Sequence, residues 1–483
     1  MLKVVHPSTY GPERQYILGV VLGEWLGLEY VAEHGSVDCL QITCLENPTG
    51  GRLEVDDSFF QTPPAAWLSP ESLPGKVRSW TPLAELGAGA APLAVLYGAE
   101  LDSGSYVMVQ PGFVRIGVDI FGTAFYMLTR YEEIVSERRD EFDRFVARFS
   151  ILQPVGLLDR AIVNEHVELL WRALHRLWPE LVRTPRNYRC LLSCDVDQVS
   201  LMGASAWFAM RVIAGRPVRD ALRNGSWRGA FRHAARLRQG WRGDPGRDDL
   251  DDFDFLMDQA EQVGCTFVFN LIAGHDRSNR DGIYGVHRGG IRNLMRRIHG
   301  RGHELGFHGS YSTYLDPDRL RREFTRLTRI AAEEGVTQAT WGGRQHYLRW
   351  SPPITWQAYE DAGIGWDSTL TYADYAGFRC GTCYEFPVFN IKTRRTLRLR
   401  ERPLIAMEKT LLARPYMGLS SSQAVDRVRV LSDACRRVNG DFSLLWHNGQ
   451  TRAPEMRKTF AEMLAVASQP DAPPISDLSR RGR

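Results

Sequence analysis

From about residue 186 onward, short apolar runs alternate with amphipathic segments. The apolar runs predict buried strands and the segments between them predict helices, which together indicate a parallel α/β domain. The predicted strands are 189–194, 265–271, 304–308, 338–342, 385–389, 403–407 and 443–447. The predicted helices are 291–299, 317–334, 352–362 and 422–438. This number and order of strands favour a closed or nearly closed barrel.

The first 185 residues show a different pattern. Apolar residues recur at helical spacing between 17 and 28, and strand-like runs follow at 36–43 and 106–116. A long helical pattern then extends from about 125 to 178. Mixed helices and strands without regular alternation indicate an α+β arrangement.

These patterns predict two domains in the chain of 483 residues. An α+β accessory domain is expected over 1–185 and an α/β domain over 186–470, with a flexible tail over 471–483. An Arg-rich insertion at about 204–252 ends in a cluster of aspartates. We interpret it as an amphipathic insertion with a solvated face, although a polyanion-binding arm is the alternative.

Composition and charge narrow the class of protein. A hydrophobic fraction of 43% with 24% charged residues is typical of a soluble globular protein. The net charge of only +3 gives no electrostatic case for nucleic acid or anionic lipid as a partner. The sequence shows no secretory signal and no apolar stretch long enough for membrane insertion, so we expect a cytoplasmic protein.

Eight scattered cysteines do not suggest a disulfide scaffold. Cys380 and Cys383 form one CxxC pair, which is compatible with half a zinc site or a redox pair. No second CxxC occurs elsewhere in the sequence to complete a four-thiolate site. We interpret the pair as reduced structural thiols.

Ionisable residues occur at the ends of three predicted strands. Asp195 and Asp197 alternate along one strand, so both carboxylates are expected to face the same side. His308 and His447 each follow an apolar strand. Because the carboxyl ends of parallel strands meet at one edge of a sheet, these groups could share one pocket. Two adjacent carboxylates stay ionised only if a cation is nearby, and a metal would provide it.

Two further runs add groups of the same kind. Arg344 and His346 follow the strand predicted at 338–342. Arg344 could hold a carboxylate by a bidentate pair, and Asp367 could orient a catalytic histidine through its second ring nitrogen.

The order of these runs resembles the five motifs of the polysaccharide deacetylase family, carbohydrate esterase family 4, whose catalytic unit is the NodB-homology domain. The corresponding runs are SCDVD ending at Asp197, HELGFH ending at His308, RQHY beginning at Arg344, WDS around Asp367 and LLWH ending at His447. The resemblance covers about residues 186–465. It implies a distorted (β/α) barrel of the NodB-homology type, preceded by the α+β accessory domain. More narrowly, these runs and the segment 119–133 resemble a divergent branch that carries an N-terminal domain of unknown function.

The resemblance implies an acid and a base. Asp195 is expected to be the general base, held by Arg344, and His447 the general acid, oriented by Asp367. The base takes a proton from water while the acid protonates the departing amine. A backbone N–H near Tyr311 could stabilise charge on the carbonyl oxygen.

The resemblance also implies a metal site, with Asp197 and His308 as ligands. The family's second histidine falls where this sequence has Ser312, which is a poor ligand for zinc. We expect His346 to complete the ligand set. Weaker alternatives are His275 and Gln198.

The predicted function is a hydrolase that acts on carbon–nitrogen amide bonds. It would remove an N-acetyl or other acyl group from a sugar or glycan intermediate, with carbohydrate as its partner. The expected cofactor is a divalent metal, zinc first, with cobalt, nickel or manganese as alternatives. A metal-independent amidohydrolase of the same fold and a catalytically degenerate carbohydrate-binding or assembly module stay open. Four aromatic residues could stack on sugar rings or pack in the core: Tyr311, Tyr347, Trp350 and Trp366.

Overall fold

The computed structural model describes residues 1–47, 50–81, 92–101, 104–197, 199, 250–276, 280–282 and 284–469. Gln198, the predicted tail at 471–483 and most of the Arg-rich insertion predicted at 204–252 lie outside these ranges. Within the described ranges, no helix combines the length and apolar character needed to cross a membrane.

The N-terminal region contains two sheets and four helices among its described residues. Its strands are β1 (Leu2–His6), β2 (Tyr30–His34), β3 (Leu40–Cys44), β4 (Arg52–Val55), β5 (Arg78–Trp80), β6 (Leu93–Val95), β7 (Val107–Gln110) and β8 (Phe113–Ile116). Its helices are α1 (Gly11–Leu18), which continues as a π-helical segment (Gly19–Trp25), α2 (Ile120–Leu128), α3 (Tyr131–Val135) and α4 (Ile162–Leu177). Six strands form a mixed sheet in the order β2-β1-β3-β4-β8-β7, and β5 pairs with β6.

The C-terminal region alternates strands and helices. Its strands are β9 (Arg189–Val196), β10 (Phe267–Ile272), β11 (Glu304–Gly309), β12 (Gly342–Gln345), β13 (Trp366–Asp367), β14 (Phe386–Asn390), β15 (Arg395–Glu401), β16 (Ala406–Met407) and β17 (Asp441–Leu445). Its helices are α5 (Leu250–Gln262), α6 (Gly289–Gly300), α7 (Pro317–Glu333), α8 (Ile354–Ala362), α9 (Glu408–Leu412), α10 (Ser421–Arg436) and α11 (Pro454–Ala467). Single turns of 3₁₀ helix occur at Phe59–Gln61, Pro64–Ala66, Pro70–Ser72, Ala147–Phe149, Thr313–Leu315 and His346–Leu348, and a longer one at Asn448–Arg452.

The C-terminal strands form one nine-stranded sheet in the order β14-β15-β13-β12-β11-β10-β9-β17-β16. Every neighbouring pair is parallel except β14 and β15. In the described part of the chain, β14 and β16 remain edges and do not pair with each other. The fold class is therefore mixed α/β. The carboxyl ends of the parallel strands lie along the same side of the sheet, across the strand direction.

All seven predicted strands overlap an observed strand. The strand predicted at 338–342 is displaced, because pairing with β11 begins only near Gly342. The prediction missed β13, which is only two residues long, and β15, whose polar residues leave it half exposed. Short or exposed strands lack the apolar run on which strand prediction depends.

The long helical region predicted from about 125 to 178 is interrupted. Arg130 adopts φ 53°, a left-handed conformation that ends the helical path after α2. Farther along, the Asp140 carboxylate accepts the backbone N–H groups of Phe142 and Arg144, both at 2.9 Å. Such local side-chain bonds compete with helical backbone bonds, and the chain between α3 and α4 is largely irregular.

A buried ion-pair network joins the N-terminal region to the C-terminal region. Glu133 in α3 accepts hydrogen bonds from Arg379 at 2.5 and 2.9 Å and from Arg130 at 2.8 Å. Burial alone would raise the pKa of Glu133, but the two guanidinium groups outweigh burial and lower the pKa to about 2. Nearby, the Tyr16 hydroxyl donates to the Pro387 carbonyl at 2.8 Å. The two regions also share one hydrophobic core.

The eight cysteines are free thiols, and five of them are buried. Cys380 and Cys383 lie in the core and have no histidine or carboxylate ligand group around them among the described residues. This arrangement agrees with the interpretation of the CxxC pair as structural thiols.

We predict that Glu133→Gln lowers the free energy of unfolding by about 3 kcal/mol at pH 7, because two buried guanidinium groups lose their carboxylate. The folded-state pKa is lowered, so this stabilisation is present above the unfolded pKa of about 4.5 and is lost as pH falls toward 2. Urea unfolding between pH 7 and pH 2.5 measures the difference. The exposed Glu137→Gln is the control; an equal loss there, or a gap that does not shrink in acid, would contradict the prediction.

Candidate active site

Carboxyl ends of parallel strands surround a cavity of about 330 Å³. The strand register explains why distant residues meet there: Asn270 lies beside Asp195, and His308 lies beside both Ile272 and Arg344. The lining residues are Arg144, Asp195, Asp197, Arg280, Asp281, Gly282, His308, His346, Tyr347, Leu348, Met407, Lys409, Tyr416 and His447. The structure therefore brings Asp195, Asp197, His308, His346 and His447 together.

Arg344 forms the expected contact with Asp195, by a hydrogen bond between the two buried side chains. One guanidinium nitrogen donates to Asp195 Oδ1 at 2.8 Å, and Asn270 donates to the same oxygen at 2.8 Å. The contact is a single bond and not the expected bidentate pair, because the remaining N–H groups bind Ser193 and Ser368. Burial would raise the pKa of Asp195, but Arg344 and the neighbouring histidines lower it to about 2. Asp195 Oδ2 takes no part in these bonds.

His308, His346 and Asp197 direct three ligand atoms at one point. His308 Nε2 lies 3.0 Å from His346 Nδ1, and Asp197 Oδ1 lies 3.5 and 3.4 Å from these two nitrogens. Tetrahedral zinc with bonds of about 2.0–2.1 Å separates its ligand atoms by roughly 3.3 Å. The three distances fit that spacing, and Asp197 Oδ1 is buried without a hydrogen-bond partner.

The second ring nitrogens fix the tautomers of both histidines. His308 Nδ1 donates to the Arg344 carbonyl at 2.8 Å, and His346 Nε2 donates to the Arg280 carbonyl at 3.0 Å. In the neutral rings, the unprotonated nitrogens therefore face each other. Two lone pairs and a carboxylate oxygen at these distances match the donor set of a divalent metal with three protein ligands and an open position.

The pKa values of Asp197, His346 and His308 depend on their burial and on the charges around them. Burial would raise the pKa of Asp197, yet Lys409, His346 and His447 hold it well below its usual value. Burial lowers the pKa of His346 to about 4. For His308, the carboxylates Asp195 and Asp197 outweigh burial and raise the pKa.

His447 is supported by a carboxylate that the sequence prediction did not name. Its Nδ1 donates to Glu408 Oε1 at 2.6 Å, and its Nε2 lies 3.6 Å from Asp197 Oδ2. Asp367, the expected orienting residue, instead accepts the N–H and hydroxyl of Thr369 at 3.0 and 2.5 Å. The expected contact between Asp367 and His447 is therefore wrong.

Asp367 belongs to a buried carboxyl pair behind the cavity. It lies beside Glu401 across the β13–β15 pair. Burial raises the pKa of Asp367 to about 6, and burial together with the Asp367 charge raises the pKa of Glu401 well above its usual value. Two carboxyls in this position cannot both be ionised at low cost, so Asp367 acts within the core and not on His447.

Other predicted residues lie outside the ligand set. Ser312 donates to Asp276 at 2.5 Å, and His275 is exposed. The Tyr311 N–H donates to Asp281 at 2.7 Å and is thus engaged within the protein. Trp350 and Trp366 pack in the core, and of the four aromatic residues only Tyr347 lines the described cavity.

Sequence reasoning missed Glu408 and Lys409. They follow β16 directly, so the rule that strand ends carry ionisable residues applied here as well. Lys409 Nζ lies 3.1 Å from Asp197 Oδ2, and the surrounding carboxylates outweigh burial and raise its pKa. The chain has only five lysines among 60 basic residues. A lysine directly after a predicted strand is therefore unusual in this sequence and could have indicated a site residue.

Comparisons with known proteins give one family match and partial matches to solved structures. Residues 2–179 match DUF7033, a family of unknown function. No curated protein matches the chain. A Mycobacterium smegmatis structure described as a polysaccharide deacetylase is 17% identical, covers 61% of this chain and 87% of its own, and has a TM-score of 0.39.

Two other solved structures are similar to the chain at lower sequence identity. A family 4 carbohydrate esterase from Streptomyces lividans is 10% identical, with 58% and 88% of the two chains covered and a TM-score of 0.28. The PuuE allantoinase is also 10% identical, with 58% and 84% covered and a TM-score of 0.36. Likeness at this level carries no functional conclusion, so function is inferred below from the geometry of the cavity.

We predict that the full-length protein binds one zinc ion, and that His308→Ala and His346→Ala each weaken binding by about 100-fold or more because two ligands remain. Isothermal titration calorimetry and metal analysis measure this. The exposed His275→Ala is the matched control. Unchanged zinc affinity in His346→Ala would reject His346 as a ligand.

Proposed function

We propose that the protein is a metal-dependent hydrolase that removes an N-acetyl or other acyl group from a sugar or glycan intermediate. One observation carries the proposal: Asp195, held by Arg344, faces the same cavity as the Asp197, His308 and His346 donor set and a carboxylate-supported His447. We take residues 186–470 as the catalytic unit, with a fold of the distorted NodB-type barrel, and residues 1–185 as an accessory domain that packs against it.

Asp195 is suited to the role of general base. Arg344 and Asn270 occupy Oδ1, so Oδ2 is the oxygen that can accept a proton from water in the cavity. A carboxylate with a pKa of about 2 is a weak base toward ordinary water. Asp197, His308 and His346 would hold a divalent ion, which would acidify a water molecule and polarise the acyl carbonyl when bound.

His447 is suited to the role of general acid. Glu408 fixes the Nδ1 proton, so Nε2 points toward Asp197 and the cavity. A protonated Nε2 can give its proton to the departing amine, and the buried Glu408 carboxylate holds the ring in place through Nδ1. Base and acid thus belong to different strand ends and can act on opposite sides of one acyl bond.

A second candidate is a metal-independent amidohydrolase of the same fold. Lys409 favours it, because an ammonium 3.1 Å from Asp197 already places one positive charge beside the ligand carboxylate. This charge competes electrostatically with a metal. Activity that survives exhaustive chelation and returns no gain with zinc would support this second candidate.

We predict that Asp195→Asn lowers acetate release from N-acetylated nucleotide sugars or oligosaccharides by about 100-fold or more, because the neutral amide cannot take the proton. Zinc affinity should stay within about threefold, since Asp195 is not in the donor set. The exposed Asp318→Asn is the control. No hydrolysis by the wild type across such a panel would instead favour a binding module.

We predict that Glu408→Gln lowers kcat by about 100-fold, because His447 loses the carboxylate that fixes its tautomer and supports its charge. Asp367→Asn should have the smaller effect on kcat. Steady-state kinetics on the same substrate, with thermal unfolding to verify folding, compare the two. A larger loss in Asp367→Asn would restore Asp367 as the supporting residue.

A further inference from the structure

We propose that the N-terminal region completes the substrate cavity, and that its Arg144 binds an anionic group, a phosphate or carboxylate, on the acylated sugar. The inference rests on the proposed function for the acyl chemistry. It assigns a role to a region that matches only a family of unknown function.

The irregular segment after α3 reaches the cavity and is fixed there. The Phe142 carbonyl accepts from Arg349 Nε at 2.9 Å, and the Asp374 carboxylate accepts the Ala147 N–H at 2.7 Å. Arg349 also donates to the Tyr311 carbonyl at 2.7 Å. These bonds tie the segment to loops that follow β11, β12 and β13, so it forms part of the cavity wall.

Arg144 is the residue of this segment that lines the cavity. Asp140 accepts from its Nε and one terminal nitrogen at 2.9 and 2.7 Å, and the Tyr347 carbonyl accepts from the other at 3.3 Å. The guanidinium also stacks on Phe142, 4.7 Å from the ring centre. A guanidinium held in this way binds a ligand with little further loss of side-chain entropy.

The chemistry of the wall favours an anion. Arg144, Arg280 and Lys409 come from three separate segments and line the same cavity. Arg144 lines the cavity and its partner Asp140 does not, so the edge of the guanidinium that Asp140 leaves uncovered is the part that can meet an anion. Neutral sugar hydroxyls can be bound by amides and hydroxyls without desolvating a guanidinium, whereas phosphate and carboxylate match the planar guanidinium fork.

The carboxylates that line the cavity do not cancel this charge. Asp195 is bound by Arg344, and Asp197 belongs to the donor set beside Lys409. Asp281 accepts the backbone N–H groups of Asp276 and Tyr311. Among the described residues, none of these three carboxylates forms an ion pair with Arg144, whose carboxylate partner is Asp140.

Arg144 gives the cleanest test of the three cations. Lys409 contacts the ligand Asp197, and the Arg280 carbonyl holds the ligand His346. Changes at either residue would disturb the metal site. Within the described part of the chain, Arg144 forms no hydrogen bond or ion pair with any of the three ligand side chains, so its substitution reports on substrate binding.

The experiment measures binding without turnover, in the full chain carrying Asp195→Asn and loaded with zinc. Isothermal titration calorimetry uses three probes: N-acetylglucosamine 6-phosphate, 2-acetamido-2-deoxyglucuronate and N-acetylglucosamine. We expect at least one anionic probe to bind roughly 10-fold or more tightly than the neutral sugar. The preference for phosphate or carboxylate identifies the anion.

Variants separate Arg144 from the metal as the anion site. Arg144→Gln should abolish the preference, Arg144→Lys should retain part of it, and the exposed Arg148→Gln in the same segment should retain all of it. If thermal unfolding shows that Arg144→Gln is not folded, the test rests on Arg144→Lys, which should lose part of the anion preference. A preference that persists without Arg144, an equal loss in Arg148→Gln, or no binding of either anionic probe would overturn the proposal.

Failure of this inference is distinguishable from failure of the proposed function. Acetate release from acylated sugars with no anion preference would leave the hydrolase standing and remove the role of Arg144. An Arg144-dependent anion preference without hydrolysis of any acylated sugar would support the role of Arg144 in binding and reject the hydrolase.

Discussion

The contact between Asp195 and Arg344 is the interaction on which the cavity depends. Both side chains are almost fully buried, and an ionised carboxylate in such a place is stable only with a charged or hydrogen-bonding partner. Arg344 meets this need from β12, three positions away from β9 in the sheet, and the Arg344 carbonyl also fixes the ring of His308. One residue thus positions the proposed base through its side chain and a proposed ligand through its backbone.

The proposed donor set takes its third ligand from His346 and not from the position of Ser312. Ser312 stands where the resembling family has a histidine, and it turns away to Asp276. His346, from the turn after β12, supplies the third donor from the other side of His308. Because both rings donate their second N–H to backbone carbonyls, their orientation depends on the chain path and not on further side chains.

Much of the fold and part of the site could be predicted from the sequence. Apolar runs identify the buried parallel strands, and strand ends identify Asp195, Asp197, His308 and His447, since parallel topology brings such ends together. The carboxylate that accepts from His447 Nδ1 could not be predicted from strand ends alone. Glu408 follows the short strand β16 and Asp367 ends the short strand β13. Only the sheet order, with β16 beside β17 and β13 five positions away from β17, decides which carboxylate meets the histidine.

The interrupted helix has the widest consequence for how the two regions work together. A continuous helix from α2 to α4 would have kept the N-terminal region compact and away from the strand ends. Left-handed Arg130 and the Asp140 side chain break the helical path, and the released segment extends to the cavity. The same break positions Glu133 to bind Arg379, whose other guanidinium nitrogen donates to the Thr371 carbonyl. The ion pair that joins the two regions therefore follows the break at Arg130, and the arginine that reaches the cavity follows the break at Asp140.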